Sequence, residues 1–318
     1  MKAAQINSYG DPSVIHINEN TPEPTLKPGQ ILVENAAASI NPFDGKIRAG
    51  YLQKMIPLTF PVTLGGDFAG TVMQVAKDVV DFTAGDNVYG QAIILNGGSG
   101  TMAELVAANV ANTALKPTKL RLEAAAALPL VGVSSLQALE DHMHLQKGQN
   151  VLIHGGAGGI GHIAIQVAKA LGAYVVATAK TEDVDFVTSL GADRVLDYKT
   201  QKFEEILTDF DGVYDTVGGE TTDKSFLVLK KGLPAGRQGG ILVSMAGQPN
   251  EELAKKYGVT AIGQNTKTDT THLTRLAKLV DSGKITVHVD KVFPLENVQD
   301  AFIYQEKIHP RGKVVITM

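Results

Sequence analysis

Residues 150–172, NVLIHGGAGGIGHIAIQVAKALG, predict a strand, a glycine-rich turn and a helix in direct succession. Residues 151–154 are a short apolar run of strand type. Apolar residues from Ile160 to Leu171 then recur at helical spacing, which is typical of a buried amphipathic helix. Gly172 follows the last of them and is expected to end the helix.

Five glycines lie between this strand and this helix, and three of them, Gly156, Gly158 and Gly161, match the pattern GxGxxG. A pyrophosphate can approach the backbone only where no Cβ intrudes, and the start of the helix offers it unpaired N–H groups. An ordinary tight turn would not need five glycines. The stretch therefore predicts a dinucleotide site that also includes Ala157, Gly159 and Ile160.

The composition indicates a soluble globular protein and gives no reason to expect nucleic-acid or membrane binding. The chain has 318 residues, more than one hydrophobic core usually holds, and a net charge of −4. It has no cysteine, which excludes disulfides, thiolate zinc sites and cysteine nucleophiles. No apolar run approaches the ~20 residues that span a bilayer. We expect a cytoplasmic protein.

The order of elements predicts an α/β protein of two domains. Residues 1–122 are rich in strand candidates separated by turn signals, whereas strands and helices alternate from residue 151 onward, as in a doubly wound parallel sheet. After residue 264 we expect one helix, at 271–282, and strands at 286–292 and 313–317. The tail is predicted to complete the first sheet. The predicted domains are 1–122 with 266–318, and 123–265.

The segments ASINPFDGKIRAG (38–50), PVTLGGDFAGTV (61–72), LPLVGVSSLQAL (128–139), SLGADRVLDYKT (189–200) and HPRGKVVI (309–316) follow one another in a familiar order. With the glycine loop, they resemble the medium-chain dehydrogenase/reductase superfamily over nearly the whole chain, and within it the zinc-independent quinone oxidoreductases. The resemblance implies a β-rich GroES-like catalytic domain, a Rossmann domain that binds NADPH, and a quinone or enone substrate.

The sequence departs from the superfamily pattern at two positions where zinc-dependent members carry metal ligands. Zinc-dependent members of the superfamily carry a cysteine where Asn41 stands and a histidine where Gly66 stands, and neither residue present ligates zinc in that way. No metal site is expected. His154 is expected to be packed or hydrogen-bonded rather than a ligand.

The resemblance also implies the catalytic candidates. Asn41, Asp44 and Tyr51 lie on a stretch rich in turn residues that we interpret as a loop beside the nicotinamide. Asn41 is the candidate to hydrogen-bond a carbonyl oxygen, and Tyr51 to shape the pocket or donate a proton. The alternative is that Asn41 and Asp44 only build a turn around Pro42. Asp67 is expected to be a supporting residue.

Further cofactor contacts follow from the resemblance and from strand ends, which line the cofactor crevice in doubly wound sheets. They are Ser134, Thr216, Val217, Met245, Ala246, Asn265 and Lys313. Two of them have simpler interpretations, because Ser134 is also suited to capping a helix that it opens, and Lys313 to being a solvated lysine.

NADPH is predicted over NADH because no carboxylate ends the second strand of this domain. Ala179 and Lys180 stand there, and by resemblance Tyr198 also reaches the 2′-phosphate. Glu182 and Asp183 are the main objection. We interpret them as the first turn of the next helix, where acidic residues suit the helix dipole.

Three functions stay open at this point: an NADPH:quinone or enone oxidoreductase, a 2-enoyl-thioester reductase, and a non-catalytic NADPH-binding sensor. A homodimer is expected through an exposed edge strand at 259–262. An insertion at 232–239, with Pro234 and Arg237, precedes a strand and is given no catalytic role.

Overall fold

The computed structural model describes residues 1–232 and 239–318. The described residues form two compact units. Unit 1 comprises Met1–Val133, Thr268–Gly283 and Val287–Met318, and unit 2 comprises Ser134–Lys267 and Lys284–Thr286. Pro234 and Arg237 of the predicted insertion lie outside the described residues.

Unit 2 is built on a parallel sheet whose strands, within the described residues, run in the order β11-β10-β9-β12-β13-β14. The strands are β9 (Asn150–His154), β10 (Tyr174–Ala179), β11 (Arg194–Asp197), β12 (Gly212–Asp215), β13 (Ile241–Ser244) and β14 (Thr260–Gly263). The helices that connect them are α4 (Gly161–Ala170), α5 (Val184–Ser189), α6 (Phe203–Ile206), α7 (Glu220–Val228) and α8 (Glu251–Tyr257). This is the strand order of a Rossmann domain, so the predicted doubly wound sheet is confirmed.

The glycine loop joins β9 to α4, as its sequence predicts. A Cβ on Gly161 would lie 2.1 Å from the carbonyl oxygen of Gly155, so only glycine fits the first position of the helix. Gly155 itself has a φ of +72°, which favours glycine. At the other end of α4, Gly172 adopts a left-handed conformation (φ +82°) just past the last helical turn, as expected of a C-terminal glycine.

Unit 1 contains the strands of the other two sheets. They are β1 (Ala3–Ile6), β2 (Ile15–Asn18), β3 (Gln30–Ser39), β4 (Val62–Thr63), β5 (Asp67–Val75), β6 (Asn87–Gln91), β7 (Leu105–Asn109), β8 (Thr113–Leu115), β15 (Val289–Pro294) and β16 (Lys313–Thr317). In the described residues β2-β1-β4 form one sheet, and β15-β16-β3-β5-β6-β8 form the other, with β7 paired to β3. The antiparallel pairing of β16 with β3 confirms that the tail completes the first sheet.

The helices of this part of the chain correct two predictions. The remaining helices are α1 (Pro42–Arg48), α2 (Leu122–Ala126), α3 (Pro129–Leu136), α9 (Thr270–Asp281) and α10 (Val298–Ile308). The predicted loop around Asp44 is wrong, because Asn41 caps α1 and Pro42 opens it, and turn residues also start helices. The tail has a second helix, α10, which buries Val298, Ala301 and Phe302.

Two smaller corrections concern where a helix and a strand begin. Ser134 does not open a helix, since α3 begins at Pro129 and leaves Ser134 in its interior. The strand predicted at 286–292 begins later, at Val289. No helix in the described ranges is both apolar and long enough to traverse a lipid bilayer.

Candidate active site

Asp67, the first residue of β5, is the centre of a fully buried polar cluster in unit 1. Its Oδ2 accepts hydrogen bonds from Asn41 Nδ2 (2.8 Å) and Ser39 Oγ (3.2 Å). Its Oδ1 accepts from the backbone N–H of Leu130 (3.2 Å) and from Gln91 Nε2 (3.4 Å). A buried carboxylate with several donors is satisfied without water.

Lys313 supplies the positive charge of this cluster. It is 2% exposed, and its Nζ lies 3.9 Å from Asp67 Oδ2. The ammonium donates to the carbonyl oxygen of Ile40 (2.8 Å) and to Oδ1 of Asn41. The interpretation of Lys313 as a solvated lysine is therefore wrong, and the contact with a cofactor stays a prediction.

These partners determine which way the Asn41 amide points. Its oxygen faces the Lys313 ammonium and its nitrogen faces the Asp67 carboxylate, and the residue is 2% exposed. The reverse orientation would place amide N–H groups against an ammonium and the amide oxygen against a carboxylate. The backbone N–H of Asn41 donates to Asp44 Oδ2 (2.8 Å), which ties the cap of α1 to its first turn.

Asp44 is the second buried carboxyl group of the cluster. Burial raises the pKa of Asp44 to about 7, and the nearby Asp67 raises it further against the opposing effects of Asn41 N–H and Lys313. Near neutral pH the group therefore carries a proton for part of the time. When it does, Asp67 and Lys313 remain as one buried ion pair without a net charge.

Two other positions of the predicted site lie differently. Tyr51 follows α1 and is 78% exposed, so it does not belong to the buried cluster. A Cβ at Gly66 would lie 3.6 Å from Gln91 Nε2 and 3.7 Å from Asp44 Oδ1, so this position borders the cluster. In the described ranges no group of three histidine, aspartate or glutamate side chains is suited to hold a metal ion.

The nucleotide-binding candidates lie in unit 2, at the carboxyl ends of its strands. The glycine loop follows β9, and its carbonyl groups accept early N–H groups of α4: His162 donates to Gly158 O (3.1 Å) and Ile163 to Ile160 O (3.1 Å). A Cβ on Gly161 would strike the backbone of Gly155 and Gly156, so the loop packs tightly against the helix start. A Cβ on Gly158 would meet only the Gly155 carbonyl oxygen, at 3.3 Å, so the backbone is open on its other side. The loop fits a pyrophosphate.

The buried side chain of His154 connects the start of the glycine loop to β10 and α7 through hydrogen bonds. His154 Nδ1 lies 3.1 Å from Thr178 Oγ1, which accepts from the N–H of Gly155 (3.3 Å). His154 Nε2 lies 3.1 Å from Ser225 Oγ, whose hydroxyl donates to Thr221 O (2.7 Å). Nε2–H is therefore the donor to Ser225, and Nδ1 accepts from Thr178. The expectation of a hydrogen-bonded His154 is confirmed.

The loop after β12 is held by its own strand-end carboxylate. Asp215 Oδ1 accepts the N–H groups of Val217 (2.9 Å) and Gly218 (3.1 Å), and Thr216 Oγ1 donates to His154 O (2.7 Å). Val217 is left 57% exposed.

The candidates after β13 and β14 also lie where their strands end. The N–H of Met245 donates to the carbonyl of Asp215 (2.9 Å), and the N–H of Ala246 to Ser244 Oγ (3.1 Å). Asn265 is exposed, just past the end of β14.

Ser134 lies on a helix rather than at a strand end. It is fully buried and its Oγ lies 2.8 Å from Thr266 Oγ1. Its hydroxyl therefore serves this internal contact, and its interpretation as a helix cap is wrong.

Lys180 and Tyr198 follow β10 and β11. The Lys180 ammonium lies 3.5 Å from Glu182 Oε1 and 3.7 Å from Asp183 Oδ2, and Tyr198 is 57% exposed. The two acidic residues lie in a 3-10 turn (Thr181–Asp183) that runs directly into α5 at Val184, so their interpretation as the turn that opens the next helix agrees with the structure. Sequence reasoning did not weigh the ion pairs with Lys180, although residues two and three positions apart in a tight turn come close.

Comparisons with known proteins agree with this architecture. Residues 27–118 match the alcohol dehydrogenase GroES-like domain and residues 190–316 the zinc-binding dehydrogenase domain. The chain is 32% identical to a chloroplast envelope quinone oxidoreductase homolog of Arabidopsis thaliana, over 99% of this chain and 98% of that protein. It is 34% identical to the chloroplastic NADPH-dependent alkenal/one oxidoreductase of the same plant, over 99% and 79%.

A solved structure shares the whole fold. The Escherichia coli quinone oxidoreductase, whose crystal structure is a complex with NADPH, superposes with a TM-score of 0.86 at 27% identity, with 100% of both chains covered. The chain is an oxidoreductase built from a GroES-like and a Rossmann-like domain. It belongs to the medium-chain dehydrogenase/reductase superfamily, among the quinone oxidoreductases.

The buried histidine predicts a pH-dependent stability. Burial lowers the pKa of His154 to about 4, from an ordinary value of 6.5. Between these values the unfolded chain takes up a proton that the folded chain does not, so the free energy of unfolding falls as the pH drops from 6.5 to 4. The expected loss is about 3 kcal/mol, measured by urea unfolding across this pH range.

Two variants separate this effect from general acid denaturation. His154→Gln should be less stable at pH 7 but lose less stability between pH 6.5 and 4 than the wild type. Ser225→Ala removes a partner of the ring and keeps the titrating group, so its pH dependence should follow the wild type. Equal pH dependence in His154→Gln and wild type would contradict the assignment.

Proposed function

We propose that the protein uses NADPH to reduce conjugated carbonyl compounds, either quinones or α,β-unsaturated ketones and aldehydes, without a metal. One observation carries this proposal most directly. At the position where zinc-dependent relatives hold a metal ligand, a buried ammonium, Lys313, donates to the amide of Asn41. The names of the quinone and alkenal/one oxidoreductase relatives support the same class of substrate.

Asn41 is the proposed contact for the substrate oxygen. An amide nitrogen carries two N–H groups, and one of them donates to Asp67. The second is available to a carbonyl oxygen, and the ammonium on Oδ1 polarises the amide and strengthens it as a donor. A conjugated acceptor is already electrophilic, so positioning and one such hydrogen bond suffice in place of a Lewis acid.

Lys313, Asp67 and Asp44 are proposed as positioning residues for Asn41. They hold its amide and its backbone N–H, and they are buried beyond direct reach of solvent. A bound reduced nicotinamide supplies the hydride. The proton donor stays open between a water molecule and an exposed side chain such as Tyr51.

NADPH is proposed over NADH because a cation, Lys180, stands at the end of β10 where NAD-specific domains place a carboxylate. Tyr198 on the neighbouring loop is exposed and suited to stack on or hydrogen-bond the same ligand. The NADPH complex of the Escherichia coli relative and the NADPH-dependent Arabidopsis relative support this choice.

A steady-state assay of NADPH oxidation tests the reaction class. Protein dialysed against a strong chelator should reduce a quinone and an enone and leave saturated ketones unchanged. Its melting temperature should be the same as before dialysis. Preference for a 2-enoyl thioester would indicate a thioester reductase instead, and NADPH binding without turnover would indicate a non-catalytic sensor. Zinc that is lost together with activity would contradict a reaction without a metal.

Asn41→Ala is the matched variant for this assay. Removal of one donor that stabilises a developing oxyanion lowers kcat by roughly a hundredfold or more. The NADPH dissociation constant should stay within about twofold, since Asn41 is not proposed to hold the cofactor. An unchanged kcat would show that Asn41 does not contact the reacting oxygen.

Lys180→Ala tests the cofactor choice. A charge-assisted hydrogen bond contributes ~1.5–3 kcal/mol, so the NADPH dissociation constant should rise roughly tenfold to a hundredfold. NADH binding should hardly change. Lys169→Ala is a suitable control, because Lys169 is a similarly exposed lysine that pairs with Asp193 at the amino ends of β10 and β11, the edge of the sheet opposite Lys180. If both cofactors weaken alike, Lys180 does not recognise the phosphate.

We also propose a homodimer through β14, which is the edge strand of the described parallel sheet. An exposed edge offers unpaired N–H and C=O groups, and pairing across a two-fold axis would extend the sheet. Sedimentation velocity at micromolar concentration should give a dimer. The N–H of Thr260 donates inward to Gly240 O (3.1 Å), so the N–H of Ala261 points to the open edge. Ala261→Pro, which removes this edge donor, should shift the protein toward monomer, and a monomeric wild type would rule the proposal out.

A further inference from the structure

Four charged side chains meet where β10 and β11 end: Lys180, Glu182, Asp183 and Lys199. Asp183 Oδ2 lies 3.7 Å from Lys180 Nζ. Glu182 bridges two lysines, with Oε1 3.5 Å from Lys180 Nζ and Oε2 3.2 Å from Lys199 Nζ. The side chains of Glu182 and Lys199 are about half exposed, and that of Lys180 is 28% exposed. The backbone N–H of Glu182 and the Lys199 ammonium both hold the pKa of the Glu182 carboxyl group below its usual range. The carboxylate is therefore charged at neutral pH.

The two loops that carry these lysines are fastened to each other. Asp197, the last residue of β11, accepts the Thr181 hydroxyl (2.6 Å) and the backbone N–H of Lys199 (2.9 Å). The N–H of Tyr198 donates to the carbonyl of Ala179 (3.1 Å). Lys180 and Lys199 are therefore held near each other by the backbone rather than by Glu182 alone.

A carboxylate between two ammonium groups occupies the position that an anionic ligand would take. Exposed lysine–glutamate pairs contribute little to stability and exchange readily. A phosphate dianion carries more charge and more acceptor oxygens than a carboxylate, so it competes well for the same two cations.

We propose that Glu182 is a built-in competitor of the cofactor 2′-phosphate and that Lys199 is, beside Lys180, a second cation of the phosphate site. This inference rests on the proposed use of NADPH. Glu182 lowers the affinity for NADPH by holding the two lysines and by repelling the phosphate. The same carboxylate is suited to accept the ribose hydroxyls of NADH. Glu182 thus narrows the preference for NADPH that the two lysines create.

Dissociation constants for NADPH and NADH, measured by fluorescence titration without substrate, test this inference. The informative quantity is the ratio of the NADH to the NADPH dissociation constant. Glu182→Gln should raise this ratio about fivefold, which corresponds to ~1 kcal/mol for an exposed charge pair. Lys199→Gln should lower it by a similar factor.

The controls use a comparable surface pair in the same unit. Lys202 and Glu205 lie 2.8 Å apart and are about two-thirds exposed, so Lys202→Gln and Glu205→Gln alter net charge in the same way. Both should leave the ratio within twofold of wild type. Glu182→Gln loses two ion pairs and each of the other three variants loses one, all at the surface, so all four variants should fold, which circular dichroism checks.

The outcomes distinguish this inference from the proposed function. If the wild type binds NADPH but Glu182→Gln and Lys199→Gln leave the ratio unchanged, the inference is wrong and the proposed reaction stands. If only one of the two variants shifts the ratio, the three residues do not act as one site and the inference is also overturned. A wild type that binds neither cofactor would overturn the proposed function itself.

Discussion

The carboxylate of Asp67 is the interaction on which unit 1 depends. It has no access to solvent, and a buried charge is tolerated only if it is paired and hydrogen-bonded. Its partners come from β3, from the cap of α1, from β6, from the start of α3 and from β16. Each of these elements must therefore reach its final position before the charge is satisfied. Loss of the Lys313 ammonium alone would leave an uncompensated buried carboxylate.

The same cluster supplies positive charge close to Asn41 and Gly66, the positions where the resemblance places zinc ligands in zinc-dependent relatives. A metal ion would supply positive charge beside the buried carboxylates, and here the Lys313 ammonium does so. Burial raises the pKa of Asp44 to about 7, so this carboxyl group can take up a proton near neutral pH. When it does, the single Lys313 ammonium balances the single negative charge of Asp67. In the proposed reaction, the Asn41 amide that this ammonium polarises takes the place of a Lewis acid, which suits acceptors that are already electrophilic.

Unit 2 differs from unit 1 because most of its candidate cofactor contacts lie on the loops that follow its parallel strands. Parallel strands bring the residues that follow them to one edge of the sheet, and side chains behind that edge hold the loops in place. His154 connects the glycine loop to β10 and α7, and Asp215 holds the turn after β12. The loops after β10 and β11 carry the charged residues that we propose to determine cofactor choice.

The sequence by itself determined the elements whose signals are local. The glycine loop, the alternation from β9 to β14 and the return of the tail as β16 are encoded in spacing and periodicity, and all three are confirmed. Local signals failed at α1, where capping residues resemble a turn, and at α10, which was missed. Only the tertiary structure decided that Lys313 is buried against Asn41 and Asp67, and that Glu182 lies between Lys180 and Lys199. The contacts of Lys313 with Asn41 and Asp67, and that of Glu182 with Lys199, join residues that strand pairing brings together from separate parts of the chain, and no local pattern records how such charges are partnered.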